Sequence, residues 1–101
     1  IHIIYAINKV ISYTKWLSYD DFLDDIKTQD AVIRNLEIIW ESSKNISDET
    51  KAYFTNIPWK EIYWMRNKLI HDYVEVDIDQ VWETLKNDII FLKKQLKNWK
   101  I

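Results

Sequence analysis

Five side chains capable of phosphate chemistry fall within eight residues: Arg66, Asn67, Lys68, His71 and Tyr73, inside the stretch 59–77, WKEIYWMRNKLIHDYVEVD. Histidine, with an ordinary pKa of about 6.5, gives and takes protons near neutral pH. Arginine is permanently charged, and its planar fork matches two phosphate oxygens, which suits a pentacoordinate phosphoryl centre. Asn67 lies one helical turn before His71, where its amide can orient an imidazole or a ribose hydroxyl. Tyr73 offers a phenol for hydrogen bonding or for stacking on a base. A lone histidine or arginine in a helical domain is usually structural. The clustering is what points to binding and proton transfer at a phosphodiester.

A helix must carry this cluster. At about 100° per residue, Ile62, Met65 and Leu69 share one side, and Trp64, Asn67 and His71 lie roughly opposite. Pro58 opens the helix at a first-turn position, where its missing N–H costs nothing. Arg66 and His71 are five residues apart, a rotation of about 140°, so a straight helix does not bring them to one face. Three arrangements reconcile them: Arg66 reaches around, the helix loosens near Asp72, or a twofold partner brings two copies together. Tyr63, Trp64 and Ile70 favour the third, because they put large apolar groups outside the core stripe. A homodimer with this helix at or near the interface is expected, and two copies of the basic residues would line a local positive groove.

The rest of the chain sets the frame. Its 101 residues allow one domain, 1–101, with one core, and 48% hydrophobic and 15% aromatic residues fill it. Glycine is absent and proline occurs once, which suits helices joined by short polar loops. The expected fold is an all-α, up-and-down bundle of about five helices. The absence of cysteine excludes disulfides and thiolate chemistry, and two histidines with no cysteine argue against a structural zinc site. No apolar run is long enough to span a bilayer and nothing resembles a signal peptide, so no membrane contact and a cytoplasmic location are expected. Because the chain starts at Ile and not Met, a few native N-terminal residues are expected upstream. A net charge of −2 gives no global footprint for nucleic acid, so any RNA contact is local.

In chain order, Ile4, Ile7 and Ile11 mark a core helix over residues 1–16. Ser18 with Asp21 reads as a capping box opening a short helix over 19–26. Its neighbours Asp20, Asp24 and Asp25 suit the positive end of a helix better than a metal site. Thr28 is the expected cap of a central helix over 29–44, with Val32, Leu36, Ile39 and Ser43 on one side and Ile33 and Trp40 beside them; Arg34 and Glu41 read as solvated or ion-paired. Residues 45–57 are polar, and Ser47 caps a turn through Tyr53 and Phe54. The alternating Val74 and Val76 have no second strand to pair with and read as loop. Asp77 with Gln80 opens a last helix over 78–99, whose Ile78, Trp82, Leu85, Ile89, Leu92, Leu96 and Trp99 form a heptad seam that needs a long partner helix. Its basic end, Lys93, Lys94, Lys97 and Lys100, is explained by the helix dipole.

RNKLIHDY, Arg66 to Tyr73, resembles the R-x4-H-x-Y motif of HepT-like toxins, which belong to the HEPN superfamily of small helical ribonucleases. The resemblance spans nearly the whole chain: TQDAVIRNLEIIWES at 28–42 is similar to the family's central helix, and IPWKEIYWMRNKLIHDYVEVD at 57–77 to its signature region. The family commonly has Gly-Glu-Ala where this chain has Trp40, Glu41 and Ser42, a departure that bears on packing beside the cleft more than on catalysis. The resemblance implies a HEPN-like dimerising fold and metal-independent RNA cleavage without a cofactor, within a two-gene toxin–antitoxin module. It implies that Arg66 binds and stabilises the scissile phosphate, that His71 transfers protons, and that Asn67 and Asp72 support them. It also implies that Tyr73 receives AMP units from a cognate minimal nucleotidyltransferase antitoxin, adding bulk and negative charge beside His71. Two other readings use the same residues: a non-catalytic helical module that binds a nucleotide or a nucleotidyltransferase partner, and a structural dimerising bundle.

Overall fold

Side-chain caps, not glycines, start four of the described helices of this chain. The computed structural model describes residues 2–69 and 76–97. Among these residues are seven helices and no β-strand: α1 (His2–Thr14), α2 (Tyr19–Asp24), α3 (Ile26–Lys44), α4 (Asp48–Tyr53), α5 (Trp59–Leu69), α6 (Ile78–Lys86) and α7 (Asp88–Leu96). No described residue has a positive φ. Ser18 and Asp21 form the capping box that the sequence predicts for α2, with reciprocal bonds of 3.1 Å. Ser47 caps α4 through the amide of Thr50, and Asp77 caps α6 through the amide of Gln80. Each cap satisfies an otherwise orphaned N–H of a first turn.

Three boundaries differ from the sequence reading. The cap of α3 is Asp25, not Thr28, because the Asp25 carboxylate accepts from both the amide (3.0 Å) and the hydroxyl (2.6 Å) of Thr28 and so starts the helix earlier. The same residue ends α2, its amide donating to the carbonyl of Phe22. Gln29 closes the joint by donating Nε2 to the carbonyls of Phe22 and Leu23. Residues 45–57 hold a full short helix, α4, in place of a turn. Last, the expected final helix bends at Asn87 (φ −113°, ψ −66°) and becomes two. Asn87 keeps backbone bonds to Glu83 before it and Phe91 after it, and donates its amide to the Glu83 carboxylate, a local bond that competes with regular helix. The seam therefore has two partners in place of one long one, since α6 packs on α5 and α7 packs on α1. These changes raise the expected five helices to seven.

The helix α3 lies at the centre, with α1 packed along it and α5 on it as well. Val32, Leu36, Ile39 and Trp40 of α3 are buried with Ile3, Ile7 and Val10 of α1, Ile62 and Leu69 of α5, and Leu85, Ile89, Leu92 and Leu96 of the seam. Three polar side chains in this core bond within their own helices, Thr14 to the carbonyl of Val10, Asn35 to that of Ala31, and Ser43 to that of Ile39, whereas the buried Thr84 hydroxyl has no partner among the described residues. The short helix α2 is held by rings, with Phe22 and Tyr19 packed on Trp82 and the Tyr19 hydroxyl donating to Asp79 at the start of α6. The helix α1 is a core helix on one side only. Its outer side leaves Tyr5 and Tyr13 exposed, and Trp16 projects just past its end.

Candidate active site

The helix α5 is anchored before it begins. Ile57 and Trp59 are buried, and the carbonyl of Pro58 accepts from the amide of Ile62 at 3.0 Å, so the proline sits at the cap. Downstream, Ile62 and Leu69 face the core and Met65 is half-buried, as their spacing requires. The opposite side is polar or uncovered. Arg66, Asn67 and Lys68 are exposed on the last turns, and Trp64 is 53% exposed. Tyr63 is partly covered, with the Lys44 ammonium 5.3 Å from its ring and the Trp64 ring edge-on at 5.7 Å.

Arg66 and Asn67 are thus adjacent on the solvent side of one helical turn. Among the described residues no hydrogen bond or ion pair engages either side chain. A guanidinium that no described residue engages can pair two oxygens of one phosphate at once through its planar fork. His71, Asp72 and Tyr73 lie outside the described residues, as do Ile70, Val74 and Glu75. The residues that bracket them are fixed: the carbonyl of Leu69 accepts from the amide of Asp77 at 2.9 Å. The chain therefore leaves α5 and starts α6 at one point.

Lys68 is two residues from Arg66, about 200° around the helix, and faces elsewhere. With Trp64, Met65 and Glu61 it lines one wall of a groove of about 390 Å³, whose other wall is Asp88, Phe91 and Leu92 of α7. Ile39 and Trp40 form part of the lining from α3. Trp40 occupies the position where small residues were noted for the resembling family, and its indole fills space beside the cleft. It is buried, and its Nε1 has no hydrogen-bond partner among the described residues. Phe91, exposed on the wall, was not singled out by sequence. Its only signal was an aromatic residue off the heptad seam, two positions past Ile89.

The family model described as "Ribonuclease HepT-like" matches residues 3–99. The chain belongs to the HepT-like ribonuclease family. A probable ribonuclease HepT of Thermococcus cleftensis is 50% identical over 88 residues, which cover 87% of this chain and 80% of that protein. A putative RNase of Methanocaldococcus jannaschii is 39% identical over 95 residues, 94% of this chain and 87% of its own length. Another putative RNase, from Caldanaerobacter subterraneus subsp. tengcongensis, is 41% identical over 96 residues, 95% of this chain and 86% of its own length. No solved structure matches the chain. Family membership and the all-α fold agree with the resemblance drawn from the R-x4-H-x-Y stretch, and the enzyme class that the family names is ribonuclease.

Proposed function

We propose that this HepT-like chain is a metal-independent endoribonuclease in which the RNA supplies its own nucleophile. The observation that carries the reading is the exposed guanidinium of Arg66 on the last turn of α5, unengaged among the described residues and five residues before His71 in sequence, in a chain whose family is named for ribonuclease activity. In this reaction a ribose 2′-oxygen bonds to the adjacent phosphorus while the bond from phosphorus to the 5′-oxygen breaks. His71 takes the 2′-hydroxyl proton, and a proton returns to the departing 5′-oxygen. Arg66 pairs the non-bridging oxygens as charge builds on them. Asn67 and Asp72 orient the imidazole and the ribose. No covalent enzyme intermediate forms.

The chain works as a cytoplasmic homodimer and as the toxin of a two-gene module. The groove between α5 and α7 supports the dimer, since Trp64 and Phe91 expose large rings on either side of it. The antitoxin is a minimal nucleotidyltransferase that transfers AMP to the Tyr73 phenol oxygen with release of pyrophosphate from ATP. The added phosphates repel RNA beside His71.

The deciding experiment compares wild type with His71→Ala for cleavage of a mixed-sequence RNA in the presence of a chelator. Cleavage by wild type alone is expected, with both proteins sedimenting as dimers. Equal cleavage by both proteins overturns the role of His71, and no cleavage by wild type favours the non-catalytic binding module. Intact mass after co-expression with the neighbouring nucleotidyltransferase checks the modification: AMP-sized increments are expected on wild type and not on Tyr73→Phe.

A further inference from the structure

The chemistry at the end of α5 makes no use of the outer side of α1. There Tyr5, Lys9 and Tyr13 recur every four residues, so they fall along one stripe of the helix, and Trp16 extends it just past Thr14. The three rings are 65%, 41% and 85% exposed. Two of them already hold a cation: the Lys9 ammonium lies 5.7 Å from the centre of Tyr5 and that of Lys15 lies 5.1 Å from the centre of Trp16. The charge on this stretch is one-signed. Residues 1–19 contain no Asp or Glu in a chain that has 16 of them. On the adjoining edge, Lys93 of α7 and Lys97 just past its end line a shallow depression of about 280 Å³ together with Asn8 of α1.

We propose that the outer face of α1 is a platform for a single polynucleotide strand, with bases stacking on Tyr5, Tyr13 and Trp16 and phosphates meeting Lys9 and Lys15. Stacking on exposed rings interleaved with cations is the general chemistry of sequence-tolerant single-strand binding. Tyr5 and Tyr13 are separated by about 12 Å along the helix axis, room for more than one base between them. A membrane surface suits this face poorly. Its exposed residues are Tyr5, Asn8, Lys9, Ser12, Tyr13, Lys15 and Trp16, so Trp16 is the one Trp, Phe or Leu of the kind an interfacial helix buries as a continuous apolar face, and lysines and polar groups interrupt the stripe. A second copy of the chain suits it poorly too, because lysine is depleted at the centre of protein interfaces. The proposal rests on the ribonuclease reading only for which strand the platform holds in the cell.

The probe is an end-labelled oligothymidylate of roughly a dozen nucleotides. It lacks the 2′-hydroxyl and stays intact whatever happens at His71. Full-length wild type is titrated against it at several salt concentrations, alongside Trp16→Ala, Tyr5→Ala and the double variant Lys9→Ala/Lys15→Ala. Circular dichroism reports that each variant keeps its helices. Trp16→Ala is expected to weaken binding about tenfold. The double lysine variant is expected to flatten the dependence of log affinity on log salt by about 1.4, or about 0.7 per phosphate contact. Wild-type affinity in all three variants overturns the platform, as does a wild type that does not bind the strand. Two further results overturn it: loss of binding to phosphatidylserine vesicles in Trp16→Ala with strand binding unchanged, and dissociation of the dimer by Trp16→Ala in sedimentation equilibrium. RNA cleavage is scored separately. Lost strand affinity in the variants together with no cleavage by wild type keeps the platform and sinks the ribonuclease reading, and cleavage with unchanged affinity does the reverse.

Discussion

The carbonyl of Leu69, the last residue of α5, accepts a hydrogen bond from the amide of Asp77, the cap of α6, at 2.9 Å. The carboxylate of the same Asp77 takes the amide of Gln80 at 3.1 Å. One residue thus ties off the helix that carries Arg66 and starts the next.

Asp77→Ala should therefore lower stability by about 1 kcal/mol, the usual worth of a cap. In a domain of this size that is a fall in Tm of about 4–8 °C, readable by thermal denaturation. Asp77→Asn, which can still accept from Gln80, should recover most of the loss. A Tm unchanged in Asp77→Ala would show that the cap contributes nothing measurable.

Arg66 is exposed, and no hydrogen bond or ion pair engages its side chain among the described residues, so its removal should act on chemistry and spare stability. Arg66→Ala is expected to reduce RNA cleavage by about 10²–10³ with an unchanged Tm. Arg66→Lys keeps the charge but not the fork, and should fall between the two. Single-turnover cleavage rates decide the matter. A full rate in Arg66→Ala would remove this residue from the site.

If the groove between α5 and α7 is where two copies meet, a charge on its rim is incompatible with assembly. Trp64→Glu should shift sedimentation equilibrium toward monomer, whereas Tyr53→Glu, at a more exposed ring on α4, should not. Cleavage should fall with dimer content if the site needs both copies.

Two groups, the half-buried Asp25 and the exposed Tyr19, tie stability to pH with opposite signs. Asp25 is held below the ordinary carboxylate range, first by the Thr28 hydroxyl and then by the Thr28 amide, which favour its ionised form. A lowered folded-state pKa means that the contribution is present above the unfolded pKa and lost as pH falls through the folded one. Tyr19 is raised above the ordinary phenol value, chiefly by donating to the Asp79 carboxylate. Its contribution is present below the unfolded pKa and lost as pH rises through the folded one. Asp25→Asn should flatten the acid limb of a Tm against pH curve, and Tyr19→Phe should flatten the alkaline limb. Each variant should leave the other limb alone.

Much of the core was legible because it follows the helical repeat: Ile62 and Leu69, Val32 and Leu36, and Leu85 through Leu96 are buried where their spacing puts them. The caps at Ser18, Ser47 and Asp77 were legible for the same local reason. Asp25 was not, because its role depends on Thr28 folding back onto it, and a threonine in that place reads equally well as the cap. The bend at Asn87 was hidden by a seam that stays in register across it, since periodicity records which side is buried and not whether one partner or two cover it. At the candidate site, the exposure of Asn67 followed from its place opposite the core stripe, whereas that of Arg66, one turn after the buried Ile62, did not. The groove did not, because Phe91 and Trp64 come from helices far apart in sequence. The outer face of α1 was masked by its strong isoleucine stripe, which drew attention to the buried side alone.

No described residue has a positive φ, and the chain contains no glycine. A chain of average composition would carry about seven glycines at this length. Replacing a glycine with alanine at a compatible position stabilises a protein by about 0.4–1 kcal/mol, by narrowing the states open to the unfolded chain. Summed over several positions, that is comparable with the whole stability of a typical small domain, about 5–15 kcal/mol. A plate whose Cα atoms span only 18 Å in its thinnest direction has little depth for a core. Part of what keeps it folded is therefore an unfolded state with few places to go.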